Sequence, residues 1–255
     1  MFLDLEPILA RALPVGLRTA GLMSFSPFLG SESIPVRLRA VFTIALTALL
    51  YPVSPVPSIA PTLAGWTSVA FSEVILGLGM GLCMQLVLEA AILAGQLAGF
   101  QFAFSLVNVI DPQTNVDTPV LSTFHQLFAL LIFLQLDIHH WVLRGIARSF
   151  RYAPVGTLHF SMDAAKAVFQ AAGGMWLAGL QIALPLLLAT LLIDSTVGFL
   201  SKASPQLPAL FLSIPLKSLA GYSVLALTVG FWPGIFEKLF LRSLGWSEQV
   251  LRLAQ

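Results

Sequence analysis

Asp137, His139 and His140 form the densest group of chemically able side chains in this chain of 255 residues. Three potential metal ligands or proton carriers stand together where an apolar run, Pro119–Leu136, ends. A zinc-binding helix places two histidines at i and i+4 on one face. Here the two are adjacent, are expected to point apart, and belong to no His-Glu-x-x-His string. The spacing therefore predicts polar groups marking an interface where an apolar segment meets water, not a catalytic or metal centre. The alternative is an intramembrane enzyme, which would need a second catalytic group in another segment. No Ser-His-Asp or Cys-His arrangement can be assigned from residue order. The Gly77-Leu-Gly-Met-Gly81 string lacks the Lys-Ser/Thr ending of a phosphate loop. Cys83 is the one cysteine, which rules out an internal disulfide or a cysteine-based metal site. The reading is a protein that is not an enzyme, with no metal and no cofactor.

Three carboxylates, Glu73, Glu89 and Asp194, lie inside apolar stretches. Ionised groups at membrane depth face a bundle interior or an aqueous path. A proton-coupled transporter would use them as relays. The structural alternative has each one paired, at a subunit contact or near a helix end. Glu73 is expected within a turn or two of its helix start, where a negative charge suits the dipole. Gln85, Gln96, Gln101 and Gln181 are suited to hydrogen bonding between helices. Glu73-x-x-x-Gly77-x-x-x-Gly81 and Gly95-x-x-x-Gly99 are small-residue faces that let helix backbones approach closely.

The segment Gly95–Pro119 breaks the pattern. An uncharged run, Ala90–Ile110, stops at Asp111-Pro112, a mostly polar stretch follows, and the chain turns apolar again at Pro119. Asp-Pro halts a helix, because proline lacks the N–H and drives the preceding residue out of the α region. Irregular backbone at membrane depth persists only where protein buries it or it lines a watery path. The apolar set before the break (Phe100, Phe102, Phe104, Leu106, Val107, Val109, Ile110) suits core packing or a hydrophobic constriction that closes a pore.

The elements around these residues are set by composition. Hydrophobic residues make up 57% and charged residues 10%, with net charge +1 and mean hydropathy +0.89. Soluble domains carry about 25% charged residues, so the natural solvent is a bilayer or a larger apolar assembly. No basic stripe suggests nucleic acid. With Asp4 and Glu6 in place of a basic n-region, no removable signal peptide is expected. The uncharged runs predict an all-α membrane protein of about six hydrophobic segments with kinks, one interrupted by a plug-like loop. The proline-rich stretch at 52–61 separates the second from the third. The short polar stretches are read as a single domain, 1–255. Basic residues (Arg37, Arg39; Arg144, Arg148, Arg151, Lys166; Lys238, Arg242, Arg252) collect on one side of a six-span layout with the N-terminus outside.

Gly95-Gln96-x-x-Gly99-x-Gln101, then Asp111-Pro112 and Pro119-Val120-Leu121, resemble the central signature of the FliR family. These are membrane components of the flagellar type III export gate, related to the SctT proteins of injectisomes. Other pieces fall in the same order: Ser33-Ile34-Pro35 with Arg37, Glu73-x-x-x-Gly77-x-x-x-Gly81, His139 or His140 followed by Ser149-Phe150 and Pro154-Val155-Gly156, Ala203-x-Pro205-Gln206, and Ile214-Pro215-Leu216-Lys217 with Gly221. The resemblance covers nearly the whole chain. It implies kinked helical hairpins assembling with FliP and FliQ into a cone-like gate, with FlhB and FlhA as neighbours. The place would be the bacterial inner membrane, at the flagellar basal body, and the cargo unfolded flagellar proteins. It implies a pore plug carried by Phe102, Ala103, Phe104, Ser105, Leu106, Val107, Asn108, Val109, Ile110, Asp111, Pro112 and Pro119. Helix-packing or subunit contacts would fall to Glu73, Gly77, Gly81, Glu89, Gly95, Gln96, Gly99, Gln101, Pro215 and Lys217. One departure stands out: the family commonly has Met-Gly where this chain has Phe102-Ala103, and Ala is less permissive than Gly at positive φ. The form of the break looks flagellar; an injectisome gate subunit and a proton-coupled transporter are the alternatives.

Overall fold

The computed structural model describes residues 5–27, 30, 34–52, 54, 62–102, 120–157, 161–204, 206 and 209–253. Among these residues every regular element is helical. α1 is Leu5–Phe25 and α2 is Val36–Leu50. Pro35 leads into α2 with φ −55°, and its carbonyl accepts from the N–H groups of Leu38 (2.9 Å) and Arg39 (3.3 Å). A proline suits that entrance, since its φ is already near the helical value. α2 stops just ahead of Pro52, as the sequence predicts.

α3 runs from Leu63 to Gln101, 39 residues without a proline. It ends ten residues short of Asp111, with Phe102 N–H on the Ala98 carbonyl at 3.2 Å. The Asp-Pro break and its flanks, Ala103–Pro119, lie outside the described residues. The chain re-enters helix at α4, Val120–Gln135. A bend at Leu136-Asp137 separates α4 from α5, Ile138–Tyr152. α6 (Met162–Ala203) passes through Pro185, and α7 (Ala209–Thr228) through Pro215. A 3-10 turn, Val229–Phe231, leads into α8, Trp232–Leu253.

Among the described residues three segments are long and apolar enough to cross a membrane: Leu63–Gln101, Met162–Ala203 and Phe211–Leu253. The bent pair α4–α5 makes a fourth if counted as one span. This is an all-α membrane protein, with its apolar length divided differently from the six segments read from the sequence. The runs Val69–Ala94 and Ala90–Ile110 merge as far as Gln101, because no helix breaker separates them. α2 has only 15 residues, short of the roughly 20 a span needs.

The chain gathers into two compact units. The first comprises Met1–Val87, Phe133–Gly173 and Leu239–Gln255; the second comprises Leu88–Ile132 and Gly174–Lys238. In the first, α1 lies directly on the early part of α3. A Cβ added at Gly21 would come 2.6 Å from the Val74 carbonyl oxygen, and one at Gly81 2.7 Å from that of Leu22. A Cβ at Gly77 would overlap the Arg18 carbonyl. The Gly77/Gly81 face is thus a packing seam, as its spacing predicts, filled by α1 of the same chain. α5 supplies Ile138, Val142, Ile146 and Phe150 to this core at helical spacing.

In the second unit the late part of α3 is approached closely by two other helices. Gly95 abuts the Ser122 backbone of α4, and Gly179 of α6 stands where a Cβ would be 2.9 Å from the Ala90 carbonyl. These contacts require glycine because one helix backbone occupies the space of the other's side chain.

Candidate functional site

Two places concentrate the candidate residues, one in each unit. In the first unit Arg18 and Glu73 are both fully buried, and Arg18 Nε donates to Glu73 Oε2 at 2.6 Å. Arg18 Nη1 donates to Ser149 Oγ at 3.0 Å and Nη2 to the Ala153 carbonyl at 2.9 Å. The guanidinium carbon lies 4.2 Å from the centroid of the Phe150 ring. The Gly156 N–H reaches Glu73 Oε1 at 3.4 Å, and Gly156 has φ +81°, a value glycine adopts without strain. One arginine therefore ties α1, α3 and the C-terminal end of α5 together. The carbonyl it caps belongs to a helix end that would otherwise lack a donor.

Glu73 is not the helix-start charge expected from the sequence. It sits ten residues into α3, and its charge is balanced by Arg18 rather than by the dipole. Arg18 escaped the sequence reading. The available signal was an arginine inside the first apolar segment, opposite in sign to the glutamates inside the third.

Asp137, His139 and His140 also require correction. Adjacency was expected to turn the two rings apart. Instead their centroids are 4.2 Å apart, and Asp137 Oδ1 lies 3.3 Å from His140 Nδ1 and 3.8 Å from His139 Nε2. One ligand atom from each of the three falls within 4.8 Å of the others. The reason is local: Asp137 has φ +54°, and this left-handed turn lays its carboxylate over the first turn of α5. The carboxylate makes no capping bond to that helix and meets the imidazoles instead. Asp137 and His140 are exposed and His139 is half-buried, in keeping with polar groups at the end of an apolar run.

In the second unit the site is where α3 stops and α4 starts. Phe102 is buried and shares a cluster with Ala98, Leu121, Leu186 and Val224. Its ring is 5.1 Å from that of Tyr222, and it fills the space over Gly221 so fully that a Cβ there would overlap it. Phe102, the last described residue before the interrupted segment, and Leu121, the second after it, are thus seated in one cluster. Further along α4, His125 is buried, with Nδ1 2.8 Å from the Leu121 carbonyl and its ring 4.4 Å from that of Trp232.

The pattern of an apolar helical chain with a signature either side of a break decides the kinship. The sequence profile of bacterial export proteins, family 1, matches residues 9–243. The chain belongs to this family. It is similar to the flagellar biosynthetic protein FliR of Escherichia coli K12, 28% identical over 230 residues, which is 88% of this chain and 87% of the relative. It is similar to FliR of Bacillus subtilis 168, 29% identical over 220 residues (84% and 83%), and to FliR of Caulobacter vibrioides, 26% over 217 residues (83% and 85%).

The remaining described signature residues of this export protein all fall in the second unit. Gly95 and Gly99 are buried, with Gln96 and Gln101 half-buried beside them. Lys217 Nζ is 2.6 Å from Asp194 Oδ1, so a second carboxylate of the apolar stretches has a cation on it. Pro215 is exposed on α7, and Glu89 lies on the exposed side of α3. Ala103, Phe104, Ser105, Leu106, Val107, Asn108, Val109, Ile110, Asp111, Pro112 and Pro119 lie outside the described residues.

Proposed function

We propose that this chain is a pore-forming subunit of the flagellar type III export gate in the bacterial inner membrane, passing unfolded flagellar proteins. The observation that carries the reading is the family match across residues 9–243, with flagellar relatives aligned over most of their length. FliP and FliQ are the partners in the gate, with FlhB and FlhA beside it. The segment from Phe102 to Pro119 closes the channel. The seating of Phe102 and Leu121 in one cluster supports this, because it gives an excursion from α3 to α4 a fixed base. Apolar side chains from Phe104 to Ile110 exclude water and ions by dewetting.

The subunit is structural, not catalytic. Arg18 and Lys217 engage Glu73 and Asp194, which favours helix pairing over proton relay for two of the three carboxylates. Co-expression with the FliP and FliQ of the same organism tests the reading: the expected result is one complex that co-purifies in detergent. A chain that purifies alone, monodisperse, while both candidates are present and unassociated would count against it.

A further inference from the structure

α5 buries one side, and its outward residues Trp141, Arg144 and Arg148 line a groove of about 250 Å3 against α8, within the first unit. Leu241, Leu244 and Glu248 line it from α8. Gly245 keeps that side open, since a Cβ there would meet nothing within 4 Å. Arg144 and Arg148 are one turn apart, so both guanidinium groups serve the same region. Among the described residues neither forms an ion pair, although Glu248 lines the same groove. The Arg144 guanidinium carbon is 5.9 Å from the Trp141 ring centroid. Trp141 and Leu241 are each 46% exposed, so an apolar strip borders the charges.

Two arginines and one glutamate leave a net charge of +1 in the groove. That balances one phosphodiester, whereas inorganic phosphate near neutral pH carries more negative charge and would meet the carboxylate. Guanidinium groups bind phosphate oxygens through paired N–H donors, and indole rings favour the level where headgroups meet acyl chains. α5 also closes the bent pair that is apolar enough to count as one span, which places its basic turns at a span end. We propose that the α5–α8 groove binds an anionic phospholipid, with Arg144 and Arg148 on the phosphate and Trp141 and Leu241 against the upper acyl chains. The proposal rests on the membrane fold and not on the export reading.

The full chain, purified with its co-expressed membrane partners, is placed in phosphatidylcholine nanodiscs. These contain either phosphatidylglycerol or phosphatidylcholine with brominated acyl chains. The readout is the tryptophan fluorescence quenched in the wild type but missing in Trp141→Phe. Brominated phosphatidylglycerol should quench this component at lower mole fraction, with a preference of about fivefold at low salt, since the groove carries one net positive charge and each such charge near an anionic surface contributes roughly fivefold. Arg144→Gln/Arg148→Gln should bring the preference to one or below, because Glu248 remains. Glu248→Gln, which needs no loss of a basic residue, should raise it several-fold. Equal quenching by the two lipids, a preference that survives loss of both arginines, or no response to Glu248→Gln would each overturn the proposal. Abolition of the preference by added inorganic phosphate, at a level matched for ionic strength by chloride that has no such effect, would assign the groove to the free anion and overturn it as well.

Discussion

The first unit is held at its centre by charge, and the second by shape. Arg18 and Glu73 meet where no water reaches, and each of the three guanidinium nitrogens donates to a named acceptor. Around Phe102 the contacts are apolar, and the close approaches are glycine against backbone or ring. The two arrangements respond differently to disturbance. A buried ion pair has steep directional demands and fails when one partner is lost. Apolar surfaces in register can be repacked in small steps. The lock belongs to the first unit, and the adaptable packing belongs to the second, next in sequence to the segment proposed as the closure.

Removing one side of the lock should have the largest effect. Arg18→Met or Glu73→Leu leaves a buried unpaired charge and should lower the stability of the first unit by about 3–5 kcal/mol. Thermal unfolding of the purified complex in detergent would show it. The double variant should be no less stable than either single, because the orphaned charge goes with its partner. Additive losses would show that Arg18 and Glu73 act separately, and the contrast between the units would fall.

The shape-based region should respond more mildly and through packing. Phe102→Ala opens a cavity over Gly221 and should destabilise by about 3 kcal/mol. Gly221→Ala should force Phe102 to move, costing about 1–3 kcal/mol. The pair Phe102→Leu/Gly221→Ala should recover part of that loss, since it exchanges ring volume for a methyl group. A Gly221→Ala variant with unchanged unfolding would mean that Phe102 does not occupy that space. The smallest effect belongs to Lys217, whose partner Asp194 is 44% exposed at the side chain. Lys217→Met should change stability by no more than about 1 kcal/mol, because solvent screens the pair.

Helical class and several element ends were legible because they depend on local chemistry. Pro35 and Pro52 bracket α2, and the absence of breakers makes α3 long. The Gly77/Gly81 seam was legible as a close-packing face, but not its occupant, since spacing on one helix says nothing about which helix covers it. The Arg18–Glu73 bond joins residues 55 apart in sequence, and Ser149 is 131 from Arg18, so no local period records it. The convergence of Asp137, His139 and His140 hinged on one left-handed residue, and an aspartate at positive φ cannot be read from neighbouring side chains. Exposure on α6 and α7, where Leu188, Leu192, Phe211 and Leu219 face outward, follows from an apolar solvent or partner rather than from any local rule.

The central claim is that the segment after Phe102 closes a channel. Deleting Val107–Val116, with α3 and α4 intact, and measuring ion or small-solute permeability in liposomes that hold the assembled complex tests it most directly. The account predicts normal assembly with permeability well above that of the wild type. Normal assembly with permeability at the wild-type level would contradict it.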